Sequence, residues 1–329
     1  MNTQDMAGLP RLENRRLGEG VACGMGAGAL WGIIFLAPDL IGPFTPMDLA
    51  CGRYLFYGLF ASVLIAPGWR RIGRHIRRAD WQRLVWLSLT GNTAYYVLLC
   101  SAVRYGGVAM TALVSGFLPV VVACAGRRDS HAVPLVRLAP GMVLCVAGAA
   151  CIAWQAMAEP ASAMAPAPLG GAVCALAALG CWACFAVGNS RAIALLDGRV
   201  GPMDWNLLMG LVTALQAGVL APVAFSLDPV AHPAWLWWRF GLVCAGVALL
   251  ASICGNALWN RMSRLLPLTL AGHMVLFETL FALLYGFMWE HRLPTRMESL
   301  AFCCVMLSLL ACVRAHGARN GGSAPGNEF

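Results

Sequence analysis

GNTAYY, residues 91–96, breaks a run of apolar residues with an amide and two phenols, and GNALWN, residues 255–260, repeats its outline 164 positions later. Positions i, i+3 and i+4 of a helix share one face, so Asn92, Tyr95 and Tyr96 project together, and so do Asn256, Trp259 and Asn260. A repeated polar-aromatic face means little in a water-soluble helix and a great deal in a lipid-embedded one. The composition decides which case applies.

Of 329 residues, 60% are hydrophobic and only 12% charged, with a mean hydropathy of +0.70, against about 45–50% apolar and 25% charged in soluble domains. This is an all-α integral membrane composition. Roughly 20 apolar residues cross about 30 Å of hydrocarbon, and ten such windows can be drawn, at 20–41, 47–67, 83–103, 107–126, 135–155, 170–190, 205–225, 237–258, 266–288 and 297–314. A leader with Arg11, Arg15 and Arg16 precedes the first, without the apolar stretch of a cleaved signal. All 23 basic residues are Arg. Counted on alternate sides of the windows, 18 fall on one side, among them Arg70, Arg71, Arg74, Arg77, Arg78 and Arg83 between windows two and three. The positive-inside rule then puts both termini in the cytoplasm. That arginine cluster is what orientation requires, so nucleic acid is not expected as a partner.

The stretch AEPASAMAPAPLG, residues 158–170, divides the windows five and five. An odd number of crossings per half turns the second half over, so sequence repeated across the divide implies an inverted repeat. GAGALWG around Trp31 matches AALGCWA around Trp182, GNTAYY matches GNALWN, and SGFLPVV around Pro119 matches the segment around Glu278. The expected organisation is a leader at 1–19, repeat one at 20–157, a linker at 158–169, repeat two at 170–315 and a tail at 316–329. In hydrocarbon an amide needs a partner or water, so the two faces should point inward, lining a wet cavity or bonding helix to helix. Gly24, Gly28 and Gly32 form a small-residue stripe suited to close approach by a neighbouring helix. Pro119 interrupts backbone hydrogen bonding inside the fourth window and gives a kink that could hinge.

Glu278 stands near the middle of the ninth window, where an ionised side chain costs about 2.5–3.5 kcal/mol on the lenient scale, and where it can take up a proton instead. It is read as a proton carrier or a ligand for a substrate amine, with a hydrogen-bonded structural carboxyl as the plain alternative. His273, five positions earlier, need not touch it. Arg53, about two turns into the second window, snorkels to the surface on the plainer reading and meets a substrate carboxylate on the other. Asp39 and Asp48 are expected to be solvated. The fourteen Cys are scattered along apolar segments, and CWAC at 181–184 lacks the His, second Cys pair and βαβ context of a metal or redox site. There is no HExxH, GxSxG or P-loop, so no enzyme, cofactor or metal is expected.

The quoted motifs, with ALWGIIFLAPDLI at 29–41, GRYLFYGL at 52–59, CWACFAVGNSRAI at 181–193 and LFETLFALLYGFMWEHRLPT at 276–295, resemble the drug/metabolite transporter superfamily in its ten-span form of two EamA repeats. The likeness runs over roughly residues 20–315 and is nearest to a YtfF-like inner-membrane subgroup. It implies two inverted five-helix repeats around a central cavity, with the fifth and tenth helices peripheral, in the bacterial inner membrane. It also implies non-ATP transport of small metabolites by alternating access, with export of amino acids or related compounds as the substrate expectation. The expected partners are a small-molecule substrate and the lipid bilayer, with a homodimer left open. The substrate-binding set is Trp31, Asn92, Tyr95, Tyr96, Trp182, Asn256, Trp259, Asn260, His273 and Glu278, with Arg53 as a carboxylate contact and Pro119 as a hinge. The family's Glu-Pro pair is split here, which leaves Glu278 as the only carboxylate in the fourth helix of either repeat. The alternative from another class is a non-transporting polytopic protein, a lipid-modifying enzyme or a scaffold.

Overall fold

The structure, a computed structural model, describes residues 3–118, 121, 135–158, 166–196, 198–227, 232–266 and 274–321, and the described residues are all helical or in turns between helices. The helices used below are α1 (Thr3–Gly32), α2 (Pro46–Ile65), α3 (Arg78–Ser88), α4 (Ala94–Gly106), α5 (Val108–Ser115), α6 (Leu135–Ala158), α7 (Pro168–Leu196), α8 (Pro202–Leu227), α9 (Ala234–Val247), α10 (Asn256–Leu265), α11 (Leu276–Trp289) and α12 (Arg296–Gly321). Five helical runs among the described residues are long and apolar enough to cross a membrane: Arg16–Leu40, Pro46–Gly73, Pro168–Leu196, Pro202–Ser226 and Ala234–Leu265.

Local chemistry starts and stops these elements. Thr45 caps α2, its hydroxyl accepting from the Asp48 N–H at 3.1 Å while the Asp48 carboxylate accepts from the Thr45 N–H at 2.9 Å, and Pro46 occupies the first turn. Thr295 and Glu298 repeat the arrangement at the start of α12. Gly107, at φ 83°, makes the left-handed turn between α4 and α5 that a residue with a Cβ would resist. Asp48, expected in solvent, is instead fully buried within its capping box.

The helices sort into two bundles and two pairs. α1 packs against α10 and α11 from the far half of the chain, and α7 packs against α4 and α5 from the near half; α2 lies on α8, and α6 on α12. Small residues permit each approach. A Cβ at Gly28 would lie 2.8 Å from the Glu278 backbone nitrogen, and one at Gly32 2.9 Å from that of Ala282, so the stripe on α1 is where α11 rests. Gly58 meets Ala214, and Gly210 meets Ala61, in a reciprocal contact between α2 and α8. Outward faces are apolar: on α8, Leu215 is 71% and Val219 80% exposed, as helices facing hydrocarbon require.

Both halves of the opening figure sit at π-turns, Leu89–Thr93 ahead of α4 and Ala248–Gly255 ahead of α10. A π-turn inserts a residue into the helical ladder and re-aims the side chains that follow. Each carries its glycine beneath an aromatic ring from the first helix of the other half, Phe185 of α7 over Gly91 and Trp31 of α1 over Gly255.

Candidate functional site

The two asparagines act as interhelical bonds to a common helix. Asn92 Nδ2 donates to Thr213 Oγ1 at 3.0 Å, and Asn256 Nδ2 donates to Asn206 Oδ1 at 2.9 Å. Thr213 and Asn206 are seven residues apart, on one face of α8. Asn206 is the hub. It also accepts from Tyr57 Oη at 2.9 Å and donates to the Ser252 carbonyl at 3.3 Å, tying α2, α8 and the second π-turn together. Asn260, a turn further along α10, donates to the Pro202 carbonyl at 3.3 Å at the start of α8.

The aromatic members meet one another. Trp31 and Trp259 have ring centroids 5.0 Å apart, Trp259 and Trp182 are 6.3 Å apart and near perpendicular, and Trp182 and Phe185 are 5.9 Å apart. Trp31 is held by its indole N–H, which donates to the Ala251 carbonyl at 3.1 Å. Trp182 and Trp259 belong to opposite bundles. Together with Leu118, Val121, Leu179, Ala183 and Val275 they form a small apolar plug between the bundles. Towards the arginine-poor ends of α5 and α11 the bundles meet more closely, with Val108 Cγ1 3.1 Å from where a Cβ on Gly286 would stand. Along α11, Glu278 lies one turn from the plug at Val275 and two turns from this closure at Gly286.

Arg53 corrects the snorkelling reading. It is 5% exposed and turned inward, with Nε and Nη2 donating to Ser252 Oγ at 3.3 and 3.0 Å. Its guanidinium lies over the Tyr96 ring at 4.1 Å and near the Tyr54 ring at 5.2 Å, favourable cation–π placements. It makes no ion pair with any described carboxylate. Tyr96 is fully buried, and its hydroxyl has no hydrogen bond of ordinary geometry. Glu278, 6% exposed in the first turn of α11, makes no described side-chain hydrogen bond or ion pair.

The interior thus brings Arg53, Tyr54, Tyr96 and Ser252 together and Trp31, Trp182 and Trp259 into one aromatic cluster, while Glu278 is buried on α11. His273 and Pro119 lie outside the described residues. Sequence reading assigned no role to Asn206, a polar interruption without a pattern, or to Ser252 and Tyr57, whose roles depend on partners in other helices; the seven-residue spacing of Asn206 and Thr213 was the available signal. An open-sided cleft of about 400 Å³ lies elsewhere, among Leu64, Ile65, Pro67, Gly68, Arg71, Ile72 and Asp204. It is bridged by the exposed Arg71–Asp204 pair.

Comparison with known proteins gives these features a context. A solved crystal structure superposes with a TM-score of 0.62 at 16% identity, covering 90% of this chain and 98% of the other, a likeness of fold. Inner membrane protein YtfF of Escherichia coli (strain K12) is 30% identical over 312 residues, 90% of this chain and 95% of that protein. With that relative and the apolar helices, the chain is a multi-pass protein of the inner membrane. Residues 18–154 match the EamA-like transporter family. The chain therefore belongs to the EamA-like transporters, membrane proteins that carry small molecules across the bilayer.

Proposed function

We propose that the chain is a ten-crossing secondary transporter built from inverted repeats at residues 20–157 and 170–315, with both termini in the cytoplasm. It exports amino acids or closely related metabolites by alternating access. The observation that carries this reading is the reciprocal packing: α1 with α10 and α11, α7 with α4 and α5, and the self-matched pairs α2 with α8 and α6 with α12. A pseudo-two-fold axis in the membrane plane generates that pattern, because each contact has a counterpart with the halves exchanged. The matched coverings of Gly91 by Phe185 and Gly255 by Trp31 support it at residue level.

In this reading the two bundles rock about the α2–α8 pair. The backbone-close contact of Val108 with Gly286 makes the present state closed towards the outside, while the side-chain plug at Trp182 and Trp259 separates the site from the cytoplasm. Glu278 is the proton carrier, since a buried carboxyl with no fixed partner can change charge without breaking an existing ion pair. Proteoliposomes with a metabolite panel test the reading. Wild-type protein should give proton-gradient-dependent amino-acid flux, and Glu278→Gln should lose most of that flux. Undiminished, pH-insensitive flux in that variant rules Glu278 out as carrier, and absence of any solute flux in wild type defeats the transport reading.

A further inference from the structure

We propose that the cleft at the arginine-rich end of α2 is a binding site for an anionic phospholipid, its phosphate held by Arg71 and its acyl chains laid along the exposed apolar flank of α2. The cleft, about 400 Å³ in volume, is formed by the end of α2, the turn Ala66–Gly68, the short helix Trp69–Gly73 and the start of α8. Its walls are of two kinds. Leu64, Ile65, Pro67 and Ile72 supply an apolar one, and Arg71 and Asp204 a charged one. Orientation in the membrane requires arginines in this connection, but it does not require one of them to stand over an apolar wall.

The positive charge here exceeds its internal counterparts. Asp80 is taken by Arg83 and Arg199, and Asp204 by Arg71. Arg70, Arg74, Arg77 and Arg78 are exposed and make no ion pair among the described residues. Arg71 is not used up either. Its Nη2 donates to Asp204 Oδ2 at 3.1 Å, its other side-chain donors have no described partner, and its side chain is 71% exposed. An exposed pair of this kind contributes little, so the guanidinium can keep Asp204 on one edge and offer the other to a phosphate. Arg70 and Arg74, close to it in the chain, add to the positive field.

The apolar wall selects a lipid over a soluble anion. Leu55, Leu59 and Val63 are exposed at steps of four along α2, and Leu64, also exposed, carries that flank into the cleft. Such a flank faces hydrocarbon. Trp69, exposed at the start of the short helix, is the residue type that settles where hydrocarbon gives way to headgroups. A soluble anion would meet Arg71 and leave the apolar wall unused. A zwitterionic phospholipid would use the wall, but its own ammonium group already compensates its phosphate. An anionic phospholipid satisfies both walls, as basic pockets at the ends of membrane helices do with such headgroups.

The test titrates the full-length protein, delipidated in detergent, with dioleoyl phosphatidylglycerol or dioleoyl phosphatidylethanolamine, and native mass spectrometry counts the bound lipid. Wild type should bind the first phosphatidylglycerol more than about tenfold tighter than phosphatidylethanolamine, and Arg71→Gln should weaken it by about fivefold, the effect of one basic group beside an anionic headgroup. Asp204→Asn breaks the same ion pair but keeps the cation, and should stay within about twofold of wild type, as should Arg78→Gln, which removes an exposed arginine outside the cleft. Glycerophosphoglycerol, the headgroup without acyl chains, should not displace the lipid. Equal binding of the two lipids overturns the proposal, as does wild-type affinity in Arg71→Gln. A loss in Asp204→Asn as large as in Arg71→Gln would trace binding to the shape of the helix end, and an equal loss in Arg78→Gln would trace it to diffuse charge; either overturns the site. Displacement by the bare headgroup would make the cleft a site for a soluble anion and overturn the lipid assignment.

Discussion

Asn206 carries more of the interior than any residue singled out from sequence. Its side chain accepts from Tyr57 and Asn256 and donates to the Ser252 carbonyl, so its removal leaves several buried groups without partners. Hydrogen bonds between membrane helices average about 0.6 kcal/mol and reach about 1.7 kcal/mol. Asn206→Ala should therefore lower stability by roughly 1–3 kcal/mol, read as a fall in the thermal midpoint in detergent. Asn260→Ala, which removes one 3.3 Å contact, should cost less than about 1 kcal/mol. Equal losses would contradict the hub role. Asp80 is a second residue whose weight was hidden in the sequence, standing among the arginines between windows two and three. Its side chain is 1% exposed and pairs with Arg83 at 2.8 Å and Arg199 at 3.4 Å, while the Arg77 N–H donates to it at 2.9 Å. Burial opposes its charge, but the Arg77 N–H, Arg199 and Arg83 outweigh burial and hold the carboxyl below the ordinary range. A depressed carboxyl stabilises the fold above its unfolded value, near 3.9, and loses that contribution as pH falls through the folded value. Asp80→Asn should thus melt lower than wild type at pH 7, with the gap closing below about pH 4. A gap independent of pH would contradict the assignment.

At the scale of elements, the helical pattern was legible because apolar windows bounded by charge, Pro and Gly are a strong signal. Their ends were less so. The eighth window closes at 258, yet the helical run continues to Leu265, because α10 is amphipathic and the window scale stops at its polar face. GNTAYY and GNALWN were visible as a pair, but not as π-turns, which leave no mark in hydropathy. Their asparagines also proved to grip α8 from two positions on one face. The glycine stripe on α1 was legible in full: Gly24, Gly28 and Gly32 meet Met274, Phe277 and Phe281 in turn. Gly28→Leu should then drive α1 from α11, lowering stability by at least about 2 kcal/mol and abolishing transport, because the displaced backbone belongs to Glu278. Gly246→Ala, with open space at its Cβ position, should be neutral or stabilising by up to about 1 kcal/mol through helix propensity. Thermal unfolding of both in the same detergent compares them directly; a tolerated Gly28→Leu would mean that α11 does not rest on α1 in the membrane.

The whole molecule is where sequence reading and structure inform each other most. The divide at residues 158–170 and the matched segments suggested two related halves, but nothing in a single sequence says that α1 leaves its own half to pack against α10 and α11. That exchange follows from helix faces becoming complementary only after folding, and it creates the two bundles between which a solute would pass. The closure of those bundles at the arginine-poor end is open to direct control. Val108 Cβ lies 3.6 Å from the position of a Cβ on Gly286, inside the range of about 3.5–4.5 Å that a disulfide spans. The most direct test is amino-acid flux through proteoliposomes bearing the Val108→Cys, Gly286→Cys double variant, measured reduced, after oxidation and after re-reduction, beside wild type treated identically. Alternating access predicts flux in the reduced protein, its loss in the double variant alone once the cross-link forms, and recovery on reduction. Flux that continues with the cross-link complete, or a reduced protein that moves no solute, would contradict it.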